Sequence, residues 1–442
     1  QMIEDLQKTI DQQDTFEKLL GYAYSYCALL HAQGVKSLQS GIFDTTETLS
    51  KSKRIDDRCL ACFFFAGLSF MFGAILELSL PKVLPVLLAL FGDKVEIVRT
   101  AAEKAIQSIV KNLTHACVER VLPYALDKVE NDASWRVQQA AILLVEAVLR
   151  NKPKNIVKYV PNLVQSLGVA LKSATSSIRD NAVDTIELLK TSIANEAVVD
   201  IFDYIVQAIS NPSSLPIAID KIMHLNLIKR LDQTDLSLII PIIASGCNSP
   251  NLQLKTDSLK IFGQLPNIAI ESAIDQFSDE IIPPLLNGVS DSAPNVRAIS
   301  AASLSSVVVC LKSEKYDQIM DTLIQEMTTK KSFSERQGNS QAIASLIKAH
   351  GVEQLDSHLQ SFVDLAKNSK DLKVREGYIS LLGFLSHFFG EEFSSGFDIS
   401  IEAVLDACAD PNDAIRTVGL RSASLIAKTF SLSHPQLILK PY

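Results

Sequence analysis

The sequence predicts an all-α solenoid built from paired helices, and three observations lead to this prediction. A basic residue opens an apolar helical segment about every 40 residues. A proline that follows two apolar residues recurs with a similar period, out of phase with the basic residues. Apolar residues keep helical spacing, whereas the alternation typical of strands is nowhere sustained. A single helix pair cannot bury its apolar face alone, so such units stack on their neighbours.

The basic residues stand near the start of the second helix of each unit. Their spacings are 41, 37, 43, 76, 42, 39, 39 and 41 residues; the longest covers two units, because the unit near Asp220 and Lys221 is degenerate. We expect such a residue to bridge to an acidic residue of the next unit, with a small gain in stability. The series is Arg58, Arg99, Arg136, Arg179, Lys255, Arg297, Arg336, Arg375 and Arg416.

Acidic residues four to six positions before many of these bases can accept the N–H groups of a helix start. They are Asp93, Asp132, Asp291, Asp371 and Asp410.

The prolines mark the first helix of each unit, within which a proline bends or opens the chain. Between the two series, apolar residues from Val98 to Ile109 form one helical face. This arrangement resembles the HEAT repeat, and about eleven such helix pairs, stacked as a right-handed superhelix, fit the chain. The prolines are Pro85, Pro123, Pro161, Pro241 and Pro283.

The stretch from Cys59 to Leu76 carries no charge and reaches the lower length limit for a membrane-spanning helix, roughly 18 apolar residues. A second segment, EGYISLLGFLSHFFGEEF, aligns with this region without a gap when Arg58 is placed on Arg375. This copy contains Glu376, His387, Glu391 and Glu392. A segment that tolerates three carboxylates belongs to a soluble helix. We therefore expect the uncharged stretch to be a buried inner helix rather than a membrane span.

The composition indicates a folded chain with a large core. The chain has 442 residues, of which 47% are hydrophobic, and a net charge of −8, which argues against a general nucleic-acid coat. Seven cysteines without framework spacing favour a reducing compartment. No secretory signal is visible, and we interpret the sequence as a piece of a longer protein.

The sequence lacks the usual signatures of catalysis and of cofactor binding. No phosphate-binding loop, dinucleotide fingerprint, zincin motif or nucleophile elbow occurs. Cys59 and Cys62 form the only CxxC motif, which we assign to the helix core because a second ligand pair is missing. We therefore predict no enzyme activity, no cofactor and no metal site.

Three groups of residues are candidates for contacts with a partner. Lys51, Lys53 and Arg54 lie in one inter-helix turn, and Lys152, Lys154 and Lys158 in another. Such lysines are solvated loop tips, or they form an edge that contacts phosphates. Trp135 and Arg136 begin a second helix and are the residue types that anchor interfaces. The alternative is that Trp135 fills the seam between adjacent units.

Several phrases resemble one protein family. LPVLLALFGDKVEIVRTAAEKAIQSIVKNL, ASWRVQQAAILLVEAV and KPKNIVKYVPNLVQSLGVAL are similar to the HEAT region shared by translation elongation factor three and the general-control translational activator. The flanking blocks, such as GYAYSYCALLHAQGVKSL, resemble the activator, and no Walker motif is present. The resemblance divides the chain into flanking units at 1–79, an elongation-factor-like part at 80–270 and further units at 271–442.

The resemblance implies a non-catalytic cytoplasmic scaffold that binds ribosomes in amino-acid starvation and ribosome-collision signalling. It also implies an ATP-binding-cassette partner protein, and activation of the initiation factor two alpha kinase through a segment outside this chain. The alternative class is an importin-like nuclear transport receptor, which would grip basic cargo through acidic inner helices. Here the inner faces are mainly apolar.

Overall fold

The computed structural model describes residues 16–39, 41–132, 134–150, 156–191, 193–329 and 332–430. Apart from one isolated backbone bridge between Leu231 and Ala269, the regular structure in these ranges is helical. The chain forms two compact units, residues 1–211 and 212–442. The all-α architecture predicted from the spacing of basic residues is confirmed.

The first unit consists of helix pairs whose second members are long and apolar. Short 3₁₀ segments precede three of the first helices, at Val35–Gln39, Gly73–Ser79 and Ile156–Tyr159. The helices are α1 (Phe16–Ala32), α2 (Ile42–Ser50), α3 (Ile55–Phe72), α4 (Leu80–Phe91), α5 (Glu96–Lys111), α6 (His115–Asn131), α7 (Trp135–Arg150), α8 (Val160–Ala170), α9 (Ser176–Lys190) and α10 (Glu196–Ser210).

The second unit continues the same pattern after the degenerate segment, where α11 has only 9 residues. Its helices are α11 (Leu215–Met223), α12 (Gln233–Cys247), α13 (Leu252–Ile268), α14 (Glu271–Gln276), α15 (Ser278–Val289), α16 (Pro294–Val308), α17 (Ser313–Thr329), α18 (Phe333–His350), α19 (Val352–Asn368), α20 (Leu372–Phe389), α21 (Ser394–Cys408) and α22 (Asp413–Phe430).

The second helices pack against one another within each unit and form its inner layer. In the first unit α3 lies between α1 and α5, and in the second unit α18 lies between α16 and α20. The face predicted from Val98 to Ile109 is buried, as are most side chains of α3 and α20. Each unit therefore has one continuous apolar core, which helix pairs acquire only by stacking.

The uncharged stretch is a buried inner helix, as its charged copy indicates. Residues 55–91 have the length and composition of a membrane-crossing helix, but 72% of their most apolar window lies inside the protein. Helices α3 and α20 each have 18 residues, and their ends coincide in the alignment that places Arg58 on Arg375. Gly73 and Gly390, which terminate these helices, both have φ 54°, a conformation that favours glycine. The internal repeat is thus real in three dimensions.

Four of the five prolines lie inside first helices, as the spacing predicts. Pro85, Pro123, Pro241 and Pro283 are interior to α4, α6, α12 and α15. Pro161 differs, because α8 begins at Val160 and the proline occupies the first turn. At that position the missing N–H group leaves no helical hydrogen bond unmade.

The segments predicted from the resemblance, 1–79, 80–270 and 271–442, stay a prediction. The compact units divide at a different place, between Asn211 and Pro212, next to the short helix α11.

Candidate partner-binding edge

One turn geometry joins the first and second helices of most units. The turn begins with Asp or Ser, whose side-chain oxygen accepts a hydrogen bond from the amide two residues later, as in Val95 N to Asp93 Oδ1 at 2.8 Å. This turn explains the period of about 40 residues seen in the sequence. The turn residues are Ser52, Asp93, Asp132, Ser173, Ser249, Asp291, Ser369 and Asp410.

The recurring arginine ties this turn to its second helix. It stands six residues after the turn residue and donates from Nη1 to that residue's carbonyl oxygen, for example from Arg99 to Asp93 O at 2.9 Å. The same bond is made by Arg58, Arg179, Arg297 and Arg416. The base therefore satisfies carbonyl groups that the turn exposes.

Arg136 departs from this geometry because it stands only four residues after Asp132. Gln138 takes the expected position and donates to Asp132 O at 2.9 Å. The Arg136 guanidinium instead lies over the Trp135 ring, with 4.5 Å between its central carbon and the ring centroid. Trp135 and Arg136 thus form a cation–π pair at the start of α7.

The expected bridges between consecutive units are present at several turns. Arg58 Nε lies 2.9 Å from Asp93 Oδ2, Lys255 Nζ lies 2.9 Å from Asp291 Oδ2, and Arg375 Nη2 lies 2.6 Å from Asp410 Oδ2. The Asn412 amide, followed by the Arg375 guanidinium, holds the pKa of the Asp410 carboxyl below its usual range. These bridges bring the turns of consecutive helix pairs together along one edge of each of the two compact units.

We name this row of turns in the first unit the turn edge; it comprises the turns α2–α3, α4–α5, α6–α7 and α8–α9. The Arg58–Asp93 bridge joins the first turn to the second. At the next step, a Cβ placed on Gly92 would lie 3.3 Å from the Cβ of Arg136, so the chain packs closely there. The first three of these turns are therefore neighbours in space.

The candidate contact residues fall on two different edges. Lys51, Lys53 and Arg54 are exposed on the turn edge, where Trp135 is 42% exposed. Lys158 lies in the 3₁₀ segment beyond the other end of α7, a 16-residue helix about 24 Å long. Lys152 and Lys154 lie outside the described residues. Lys51, Lys53 and Arg54 therefore share an edge with Trp135, whereas the segment that contains Lys158 does not lie on that edge.

Sequence reasoning missed the exposed apolar side chains of the turn edge. Ile55 is 43% exposed and Ile97 is 54% exposed, although both belong to strongly apolar helical patterns. Each lies in the first turn of a second helix, as Trp135 does. The signal that identifies them is their position three or four residues after the turn residue.

A second feature of the first unit is an open groove of about 390 Å³ between α5 and α7. Ile106, Val110, Leu143 and Phe91 contribute apolar side chains to the groove. Its rims carry both signs of charge, including the Glu146–Arg150 pair with 2.9 Å between Oε1 and Nε.

Cys59 and Cys62 are core residues, as predicted, with exposed fractions of 2% and 0%. Burial raises the pKa of the Cys59 thiol to about 11 and raises that of Cys62 as well. Within the described ranges, His, Cys, Asp and Glu side chains form no group of three suited to a metal ion.

We expect Cys59 and Cys62 to react slowly with a water-soluble thiol reagent at pH 8, because a raised pKa leaves little thiolate and burial blocks access. The half-buried Cys310 and Cys408 serve as the internal comparison and should react first. Timed labelling followed by peptide mass mapping measures the order. Labelling of Cys59 before Cys310 in the folded protein would contradict the core assignment.

The chain is a HEAT-repeat α-solenoid, as its stacked helix pairs, interior prolines and repeated turn show. Comparison with known proteins shows which HEAT-repeat proteins this chain is similar to. Residues 20–186 match the family described as EF3 N-terminal HEAT repeat.

Over its whole length the chain is similar to much larger proteins. "Stalled ribosome sensor GCN1" of Mus musculus is 25% identical over 99% of this chain and 16% of its own length. "eIF-2-alpha kinase activator GCN1" of Saccharomyces cerevisiae is 24% identical over 95% of this chain and 16% of its own length. The resemblance to the activator, with a part similar to elongation factor three, is thereby confirmed. The chain spans 16% of these relatives.

Among solved structures, importin beta has 17% sequence identity and a TM-score of 0.35, covering 97% of this chain and 58% of its own.

Proposed function

We propose that this chain is part of a non-catalytic scaffold that associates with ribosomes and contributes to activation of the eIF-2-alpha kinase. The observation that carries the proposal is similarity across 99% of the chain to proteins named for sensing stalled ribosomes, together with the named activators of that kinase. The match of residues 20–186 to the elongation-factor-three repeat supports an association with translation. A cytoplasmic location follows from the same role.

The finer partners belong to this proposal as well. By its resemblance, the chain recruits an ATP-binding-cassette partner protein, whereas the kinase binds through a segment elsewhere in the larger protein. The competing class is a nuclear transport receptor, which the relatives named above do not favour. Binding of a nuclear-transport GTPase to the chain would favour that class.

Lys152, Lys154 and Lys158 are the candidate contacts with ribosomal RNA phosphates. Lysines that neutralise phosphates release counterions, so such an association weakens steeply as salt increases. The remaining candidates lie on the turn edge together with exposed isoleucines, which distinguishes this edge from a surface that contacts only phosphates. These candidates are Trp135, Arg136, Lys51, Lys53 and Arg54.

We expect the chain to co-sediment with ribosomes at about 50 mM salt and to be released at about 200 mM. The triple change Lys152→Glu, Lys154→Glu and Lys158→Glu should reduce the bound fraction at low salt by at least about tenfold, since three phosphate contacts are reversed in sign. Sucrose-gradient sedimentation of purified ribosomes with the chain measures both effects.

The matched control replaces three exposed lysines of the second unit by glutamate, which gives the same change in net charge. These lysines are Lys229, Lys370 and Lys373. Equal loss of binding in the control would show that total charge rather than this surface is responsible. Absence of the wild-type chain from the ribosomal fractions at every salt concentration would overturn the proposed function.

A further inference from the structure

Three consecutive turns of the turn edge display an exposed apolar side chain beside a basic one. Ile55 follows Lys53 and Arg54, Ile97 follows Lys94, and Trp135 precedes Arg136. The three apolar side chains are 43%, 54% and 42% exposed. Exposed apolar residues scattered singly need no explanation, but a row that repeats with the helix pairs marks a surface for interaction.

The acidic side chains of this edge are largely occupied within the turns. Asp57 Oδ2 accepts from Ser52 Oγ at 2.6 Å, and Asp93 Oδ2 pairs with Arg58 Nε at 2.9 Å. Asp132 accepts from the Ser134 amide at 2.9 Å and lies 3.6 Å from Lys128 Nζ.

The basic side chains of the edge are more exposed to an incoming partner. Lys53 and Lys94 are exposed, and neither lies within ion-pair distance of a carboxylate in the described part of the chain. Asp56 and Glu96 are the acidic side chains that remain at the described turns. Against these two stand Lys53, Arg54, Lys94, Arg136 and Lys172, while Lys51 pairs with Glu47. The charge that the edge presents is therefore positive, although the whole chain has a net charge of −8.

We propose that the turn edge binds an acidic segment of a partner protein that also carries apolar side chains. Carboxylates of such a segment complement the lysines and arginines, and its apolar side chains cover Ile55, Ile97 and Trp135. Interfaces of this kind combine an apolar centre with Trp and Arg anchors and a charged rim.

RNA is the weaker candidate for this surface. Single-stranded RNA is held by phosphate contacts and by bases stacked on aromatic rings, so it would use the lysines and Trp135. It offers no apolar side chain to cover the two isoleucines, which would remain in water. A protein segment satisfies both the charge and the apolar surface.

The spacing of the turns limits the length of this segment. Adjacent packed helices are about 8–10 Å apart, so three consecutive turns span about 20 Å. An extended chain rises about 3.3 Å per residue, and about six residues therefore cross the three turns. Alternating carboxylate and apolar residues would place one of each near every turn.

The test uses the whole chain and three fluorescent probes, measured by anisotropy. The first is a peptide of about ten residues built from Asp, Glu, Leu and Phe; the second has Leu and Phe replaced by Ser; the third is a single-stranded RNA of similar extended length. We expect the first probe to bind at least about tenfold more tightly than the other two, because each of them lacks one part of the complementarity.

Two sets of variants identify the side chains responsible. Ile55→Ser with Ile97→Ser should weaken binding of the apolar-containing peptide about tenfold or more and leave RNA binding within about twofold, because RNA does not use the two isoleucines. Lys53→Glu, Lys94→Glu and Arg136→Glu should weaken both. The matched control is Leu252→Ser with Leu372→Ser, at corresponding first-turn positions that are 52% and 44% exposed in the second unit. It should leave the affinity unchanged.

Several outcomes would overturn this inference. They are equal binding of the two peptides, tighter binding of RNA than of the apolar-containing peptide, equal loss in the control, or no binding of that peptide up to about 1 mM. Because ribosomes are absent from this experiment, its result is independent of the sedimentation test, and either proposal can fail while the other stands.

Discussion

Replacement of Glu376 by alanine is expected to destabilise the second unit by about 3–5 kcal/mol. Glu376 on α20 accepts a hydrogen bond from Arg336 Nη2 on α18, and the two side chains are 9% and 6% exposed. The substitution removes the carboxylate that the buried Arg336 guanidinium faces, so the desolvation cost of that charge is less fully offset. The midpoint of urea unfolding, followed by circular dichroism, measures the loss.

Two comparisons show whether the buried charge is responsible. Glu402→Ala removes a carboxylate that lies 3.2 Å from Lys367 but is 69% exposed, and it should cost at most about 1 kcal/mol. The double change Arg336→Met with Glu376→Leu removes both charges and should be clearly more stable than Glu376→Ala alone. A double variant no more stable than the single one would contradict this account and indicate that shape rather than charge is lost.

The fold could be predicted because its physical requirements recur along the chain. A turn that closes with an Asp or Ser side chain recurs in most helix pairs, usually with a base six residues later, because each pair must stack on the next. The internal copy distinguishes a buried helix from a membrane span, because α20 carries Glu376 at the position that Cys59 occupies in α3. These are local requirements, so a single sequence displays them.

Expectation and structure differ where a residue is shifted by one or two positions relative to its turn or to the start of its helix. Arg136 is basic and opens a helix, but it stands four residues after its turn residue, so Gln138 makes the turn contact instead. Pro161 keeps the sequence period, yet α8 begins one residue before it. A spacing tolerates a shift of one or two residues, whereas a hydrogen bond does not.

The candidate site was only partly predictable, because an edge is formed by residues far apart in sequence. Lys152 and Lys154 are close to Trp135 along the chain, but the whole length of α7 separates the turn edge from the Lys158 segment. Ile55 and Ile97 carry the residue type of a core. Only their place in the first turn of a helix identifies them as exposed, and apolar periodicity does not report that place.

The two internal copies also make possible a paired test of packing. Gly21 on α1 and Gly338 on α18 occupy equivalent positions in the gapless alignment that places Arg58 on Arg375. A Cβ on Gly338 would lie 2.0 Å from the carbonyl oxygen of Val289, whereas a Cβ on Gly21 would meet nothing within 4 Å among the residues that the structure describes. The backbone of α15 thus occupies the space that an alanine side chain needs at one position only.

We therefore expect opposite signs from the same substitution. Gly338→Ala should destabilise the protein by about 1–3 kcal/mol or more, because backbone must move to relieve the overlap. Gly21→Ala should stabilise the protein by about 0.5–1 kcal/mol, because alanine reduces the freedom of the unfolded chain and favours the helix.

Urea unfolding of both variants measures this difference, and the fluorescence of Trp135, the sole tryptophan, reports on the first unit in which Gly21 lies. Destabilisation of similar size at both positions would mean that glycine is required by helix geometry rather than by the approach of α15. Gly338 and Gly21 have the same place in the repeat and differ in what lies beside them. If the two substitutions change the free energy of unfolding in opposite directions, the difference reports the contribution of stacking between neighbouring helix pairs. That contribution is the interaction on which every unit of a solenoid depends.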